Sequence, residues 1–403
     1  MTARDDAIAV LLEDCVVPPE PLVPLLERLR DFTGRYVPFL HRSEQGDRCL
    51  EYLGGLLSSV ERKSIEPIAN ALGRPRRALQ HFVGAGRWDD GAVLAELRRH
   101  AAAELGDPAG VLIIDPTSFE KKGRDSVGVK RQFCGRLGKV DNCQVGLFMG
   151  YASPKGHTLV HAELHLPEDW ATDAARREKC YVPEEVTFRT TQRMASDWLM
   201  AHGHEFPHAW VVADEEFGKS GSLRELLRER KERYLLRIQG SRTVRLVDPR
   251  QPKGRRDPET GRRHHAPFQG ADTFARAQPA SAWRLIRVRD GERGPIEVQA
   301  LKRRVQTKSD GRIAPAETLL VLRTVGATPE YRFLLSNADL DTPLEDMALA
   351  ASERPRVEED FQRAKGEVGL ADYEVRSWVG WHHHMVLAML AQFFLVLEQG
   401  RLG

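Results

Sequence analysis

Hydrophobic and polar positions along the chain follow three rhythms, and each predicts a different kind of element. Over the first hundred residues the apolar positions recur at helical spacing and no strand-like run stands out, while Pro18, Pro19, Pro21 and Pro24 break the opening segment. Residues 61–69 and 74–82 read as two short helices around a turn at Gly73. Short β-branched runs at 111–114 and 209–214 read as buried strands. Val145, Leu147 and Met149 alternate before the turn Ser153-Pro154-Lys155-Gly156, and Thr158, Val160, Ala162 and Leu164 follow it, so a hairpin is expected. Helices are predicted over 189–203 and 221–232, with a strand over 234–238. Strand-like segments then fall at 283–289, 296–305, 318–323 and 331–335. Val357, Phe361, Ala364 and Val368 form a helical stripe. Residues 385–397 are largely apolar but too short to cross a membrane, which predicts a buried core helix and no membrane partner.

Three carboxylates stand at informative points of this pattern. Asp115 closes the run Val111-Leu112-Ile113-Ile114, Asp214 closes Trp210-Val211-Val212-Ala213, and Glu358 begins the amphipathic segment. Ligands of open α/β sheets gather outside the carboxyl ends of the strands. Acids meeting there repel one another unless a cation offsets the charge, and hard oxygen donors select Mg²⁺ or Mn²⁺. A strand-terminal Asp taken alone is more often a turn or helix cap. Glu359 is the competing third acid. At about 100° per residue, Glu358 borders the apolar stripe and Glu359 is expected to point away from it into solvent. Lys365 lies two turns beyond Glu358, and Arg354 projects the same way just before Pro355.

The spacing of Arg354, Glu358 and Lys365 resembles the Tyr-Arg-Glu-Lys signature of DDE transposases from bacterial insertion sequences. Residues 366–378 and 115–123 continue the likeness, which is strongest to the insertion-sequence-701 branch and runs from about Phe32 to near the C-terminus. The signature's tyrosine falls at Ala351, a departure that leaves its role open here. The resemblance implies an α/β chain: a ribonuclease-H-like catalytic core, an N-terminal helical domain and an inserted β-rich subdomain. The expected boundaries are 1–105 for a helical, DNA-binding domain, 106–240 for the first part of the core, 241–340 for the insertion and 341–403 for the helical part carrying the third acid. It implies cleavage at the ends of the chain's own element and transfer of 3′-hydroxyl ends to target DNA. Asp115, Asp214 and Glu358 would hold two Mg²⁺ or Mn²⁺ ions, with Arg354 and Lys365 on phosphate. Double-stranded DNA is the implied partner, bound in a synaptic complex by at least a transient homodimer. A domesticated DNA-binding regulator and a stand-alone metal-dependent endonuclease are the alternatives.

Composition adds little to this. Lys and Arg exceed Asp and Glu by only two charges, so DNA affinity must come from local patches. One candidate is the cluster Arg74, Arg76 and Arg77 beside the turn at Gly73, where a helix-turn-helix would meet phosphate. Others are Lys121, Lys122, Lys130 and Arg131, which are either phosphate contacts beside Asp115 or ordinary hairpin charge, and the arginine-rich stretch at 255–265. His382-His383-His384 on one helix point in three directions, so at most one can join any site. Five scattered cysteines with no metal spacing fit reduced cytoplasmic thiols, and the resemblance implies a bacterial, nucleoid-associated protein.

Overall fold

The computed structural model describes residues 22–248, 255–257, 263–291, 294–309 and 312–402. In chain order the elements open with helices α1 (Leu22–Gly34), α2 (Ser43–Leu57), α3 (Ile65–Ala71), α4 (Arg76–Gly84) and α5 (Asp90–Leu105). Strands β1 (Val111–Glu120), β2 (Lys130–Cys134), β3 (Lys139–Ser153) and β4 (Gly156–Leu164) follow, then α6 (Glu168–Ala171), α7 (Ala174–Lys179) and α8 (Thr191–His202). Next come β5 (Trp210–Ala213), α9 (Glu215–Gly218), α10 (Gly221–Glu229), β6 (Tyr234–Ile238) and β7 (Thr243–Leu246). The short pair β8 (Arg255–Arg256) and β9 (Arg263–His264) precedes β10 (Gln269–Gly270), α11 (Ala271–Arg276), β11 (Arg284–Gly291), β12 (Gly294–Ser309) and β13 (Arg312–Ile313). β14 (Glu317–Thr324), β15 (Tyr331–Ser336), α12 (Leu344–Ala351), α13 (Arg354–Gly366) and α14 (Trp378–Leu402) complete the order. The expected hairpin, the strands at 209–214 and 234–238 and the four strand-like segments after 283 are all present.

The chain divides into two compact units. Unit 1 takes the described residues up to Asp107, then Asp115–Pro207 and Arg356 onward; unit 2 is Pro108–Ile114 with His208–Pro355. Unit 1 is organised on α14, which is longer than the apolar stretch predicted it to be. Its length and composition would suit a membrane span, yet most of it is buried inside the protein, as expected of a core helix. The three histidines tie it to its neighbours. His384 Nδ1 lies 2.9 Å from the Tyr52 hydroxyl of α2, and His383 sits between the carbonyls of Val83 and Trp88, 3.1 Å from each. His382 Nδ1 faces the Trp378 carbonyl at 3.0 Å. These are structural partners, one for each direction around the helix. In the same unit β3 pairs antiparallel with β2 through its first residues and with β4 through the rest.

Unit 2 contains a large mixed sheet. Residues Val111–Ile114 of β1 pair in parallel with Trp210–Ala213 of β5, and β5 pairs in parallel with β6. Beyond β6 every ladder is antiparallel: β15, β14 and β12 in turn, with β7, β11 and β13 on β12. Trp283, Phe274, Leu301, Val321 and Phe333 belong to one buried cluster on this sheet. Arg224 and Glu317, both buried, meet at 2.5 Å, and Arg228 also reaches Glu317 at 3.1 Å. A buried pair with several donors on one carboxylate satisfies charges that would otherwise be costly.

Candidate active site

Asp214 follows Ala213 and caps the N-terminus of α9, its Oδ1 accepting from the Glu216 N–H at 2.9 Å. The turn is fixed by what comes after it. Phe217 is fully buried, and Gly218 lies so close to β6 that an added Cβ would sit 1.8 Å from the Arg237 carbonyl oxygen. Burial pushes the Asp214 carboxyl above the usual carboxylate range; Arg354 and the N–H groups of Glu216 and Phe217 pull it back down. The bland reading of this residue as a cap is therefore correct, and it does not exhaust the side chain. One oxygen organises the turn while the group as a whole is a partly buried carboxyl under the influence of Arg354.

Asp115 follows Ile114, the partner of Ala213 in the last pair of the β1–β5 ladder. It closes the paired stretch but not the strand, a correction to the expectation of a strand-terminal acid. β1 continues through Pro116 to Glu120, since the end of the parallel ladder at Ile114 releases the N–H that Pro116 lacks. Asp115 is buried, at 7% exposure. Lys365 of α13 donates to Thr117 Oγ1 at 2.9 Å, and its ammonium is held below the usual lysine range by burial, with Arg136 adding to the effect and Asp115 opposing it.

Helix α13 is seated by its buried stripe, Val357, Phe361 and Ala364, as the periodicity predicts. Gly150 of β3 makes the approach possible, because a Cβ there would lie 2.3 Å from Val357 Cγ2. Phe148 meets Phe361 edge-on at 5.1 Å. A fourth acid, Asp360, was not foreseen. It is fully buried, with Oδ1 2.8 Å from both His157 Nδ1 and Gln392 Nε2, and burial raises its carboxyl while His157 opposes the rise. The adjacent glutamates differ from expectation in one respect: Glu358 is the exposed member and Glu359 is partly covered. Turning away from the stripe does not guarantee solvent when other elements flank the helix. Glu358 and Lys365, seven residues apart, remain on one side of α13.

Among the described residues no three His, Cys, Asp or Glu side chains already form a ligand cage. The donor chemistry of the three acids still suits a hard cation, since Mg²⁺ is commonly held by one or two carboxylates together with substrate phosphate. The sequence pattern described as DDE superfamily endonuclease matches residues 35–295. The chain belongs to this family. The matched region contains Asp115 and Asp214 and ends before Arg354, so the third acid rests on the spacing of Arg354, Glu358 and Lys365. A similar protein is described as a probable transposase for insertion sequence element IS701 from Microchaete diplosiphon. It is 29% identical over 249 residues, which cover 59% of this chain and 60% of that protein.

For a DDE endonuclease, the basic residues divide by environment. Lys121 lies 3.5 Å over the Tyr373 ring, and its ammonium is pushed down to about 8 by burial and by Arg62, against Glu374. Lys122 is exposed. Lys130 and Arg131 lie on β2, a strand the sequence did not announce; Lys130 pairs with Asp169 at 2.9 Å and Arg131 is exposed. The two short helices around Gly73 are α3 and α4, as expected. Arg76 is 2.7 Å from Glu66, Arg74 is 3.9 Å from Glu51, and Arg77 is exposed. Of the arginine-rich stretch at 255–265, residues 258–262 lie outside the described residues, as does Cys15; Cys49, Cys134, Cys143 and Cys180 are buried free thiols.

Proposed function

We propose that this chain is a DNA transposase that cuts at the ends of its own insertion sequence and joins the freed 3′-hydroxyl ends to target DNA. The observation that carries the reading is the coincidence of two patterns. Asp115 and Asp214 directly follow the last residue pair of one parallel ladder, Ile114 and Ala213, and α13 bears the spacing of Arg354, Glu358 and Lys365. Arg354 acts on the Asp214 carboxyl and Lys365 is drawn by Asp115, so each strand acid answers to one of the helix's cations. The description of the similar protein as a probable transposase supports the same reading.

In this reading Asp115, Asp214 and Glu358 hold two Mg²⁺ or Mn²⁺ ions. Such ions, when bound, supply an activated water or 3′-hydroxyl and charge stabilisation on the leaving oxygen. Arg354 offers a planar, bidentate donor to a phosphate and Lys365 a point charge. Lys365 gives one N–H to Thr117 and has two further N–H donors to offer a phosphate. Burial at Lys365 strengthens its pull on an anion, because fewer waters compete. Asp360 holds α13 in place from its opposite side. We assign the strands around β1, β3, β4, β5 and β6 to a ribonuclease-H-like core, residues 1–105 to a helical DNA-binding domain and residues 241–340 to an insertion. Two element ends would require at least two copies of the chain.

The test is cleavage and binding measured on the same end DNA. Asp115→Asn and Asp214→Asn should each abolish cleavage in Mg²⁺ and leave binding largely intact, because the charge removed holds metal and not DNA. An Asp214→Asn protein that still cuts would sink the assignment, and cleavage by the unaltered protein without joining would reduce it to an endonuclease.

A further inference from the structure

Three helices of unit 1 border a cavity that the candidate active site does not use. It measures about 470 Å³ and lies between α1, α5 and the C-terminal turns of α14, with Lys155 of the β3–β4 turn beside it. Helical spacing puts Arg28, Asp31, Phe32 and Arg35 on one face of α1, and that face forms a wall. The floor is aromatic. Phe32 meets Phe394 edge-on at 5.3 Å and the His100 ring at 5.7 Å, and Leu105 and Leu397 extend the apolar surface. Cavities that hold small organic ligands measure about 300–1,000 Å³, so this one is large enough.

One polar atom of this floor has no partner among the described residues. His100 Nδ1 lies 2.9 Å from the Tyr36 hydroxyl, the single hydrogen bond of either side chain. Tyr36 is fully buried, so its hydroxyl must donate there, and burial holds the phenol protonated well above its usual range. Burial, aided by Arg35 and opposed by Glu96, lowers the His100 imidazole to about 4, so the ring is neutral. A neutral imidazole that accepts at Nδ1 carries its proton on Nε2. That N–H is a donor without an acceptor, on a ring that lines the cavity. The cations around it also keep N–H groups to spare. Arg28 and Arg401 share the Glu398 carboxylate at 2.9 and 2.7 Å, Arg35 pairs with Glu96 at 2.5 Å, and Lys155 gives one N–H to the Gly106 carbonyl at 2.7 Å. An arginine has five N–H donors and a lysine three, so each retains some for a ligand. Of the acids, Glu398 is already offset by two arginines, while Asp31 and Glu104 stand at exposed positions where water weakens their field.

We infer that this cavity binds a small aromatic carboxylic acid, its ring against Phe32 and Phe394 and its carboxylate on His100 Nε2 and the spare N–H groups of the arginines. Each half of such a ligand meets its own chemistry. Aromatic rings pack edge-on or offset against phenylalanine, and a carboxylate only accepts, which matches the donors left over. An uncharged hydrocarbon would leave the His100 N–H cut off from water and unbonded, and an ammonium would face Arg28, Arg35, Lys155 and Arg401 together. The site uses none of Asp115, Asp214 or Glu358, so it holds whether or not the chain transposes.

The experiment titrates 2-naphthoate into the full chain and follows binding by calorimetry. Saturable binding of one naphthoate per chain is expected, with 2-naphthamide, the same shape without the charge, about tenfold or more weaker, the scale of one hydrogen bond to a charged group. Leu397→Trp, which fills the cavity, should abolish binding. Thermal melts show whether that variant keeps its fold. If it does not, Arg401→Gln at an exposed position decides instead: it should weaken naphthoate and leave naphthamide unchanged. Three results would overturn the assignment. One is the absence of saturable binding at millimolar naphthoate, and another is 2-naphthylmethylamine binding as tightly as the acid. The third is naphthoate binding unchanged in folded Leu397→Trp or in Arg401→Gln, since the ligand would then sit elsewhere.

Discussion

At the scale of single residues, the decisive contrast is between neighbours on α13. Glu358, Glu359 and Asp360 are three acids in a row with three environments: exposed, partly covered and fully buried. Asp360 is accounted for by His157 and Gln392, so its removal would loosen the helix and would not report on chemistry. Glu358 shares its side of the helix with Lys365, and Glu359 does not. Glu358→Gln should therefore lower the cleavage rate by about 10²-fold or more, as loss of a positioned electrostatic group often does. Glu359→Gln should leave it nearly unchanged. Single-turnover cleavage of end DNA by the two variants decides the register, and equal defects, or the reverse order, would contradict it. The same contrast shows the limit of periodicity. Spacing identified the buried stripe correctly, but it could not foresee Asp360 inside it, because an acid at a core position reads as an error until its histidine and glutamine are known.

At the scale of elements, the site depends on how closely α13 approaches β3. Gly150 leaves room for Val357, and a methyl group at that position would overlap it. Gly150→Ala should destabilise the protein by about 1–3 kcal/mol, the usual cost of overpacking, and should slow cleavage because Glu358 and Lys365 move with the helix. Adding Val357→Ala should recover part of both losses. Thermal melts and cleavage rates of the single and double variants test this, and a double variant worse than the sum of the singles would show that the contact is not the cause. Strands and helices of this kind were largely legible in the sequence, since β5, β6, β14, β15 and the β3–β4 hairpin follow alternating or continuous apolar runs. β2 was not legible. Lys130-Arg131-Gln132-Phe133 has the polarity of a loop, and only pairing with Lys139–Cys143 makes it a strand. The extension of β1 past Asp115 was hidden for a similar reason, because Pro116 reads as a stop unless that position needs no ladder donor.

At the scale of the whole molecule, the chain is nearly neutral and offers DNA no general attraction, so any affinity must be local. In the proposed reading the three acids hold the metal, and it is expected to bind weakly without DNA, because carboxylates supply only part of a Mg²⁺ shell. The candidate site was half legible: two strand acids and a spaced helix signature are sequence features, while the cap at Asp214, the hydrogen bond from Lys365 to Thr117 and the seat of α13 on Gly150 emerge only on folding. The central claim is that the acids are metal ligands, and exchanging a ligand atom tests it most directly. Asp214→Cys replaces a hard oxygen with a softer sulfur, which disfavours Mg²⁺ far more than Mn²⁺. The measurement is end-DNA cleavage by Asp214→Cys in each metal. Inactivity in Mg²⁺ with activity restored in Mn²⁺, where Asp214→Ala stays inactive in both, is the predicted result; full activity of the Cys variant in Mg²⁺ would contradict the account.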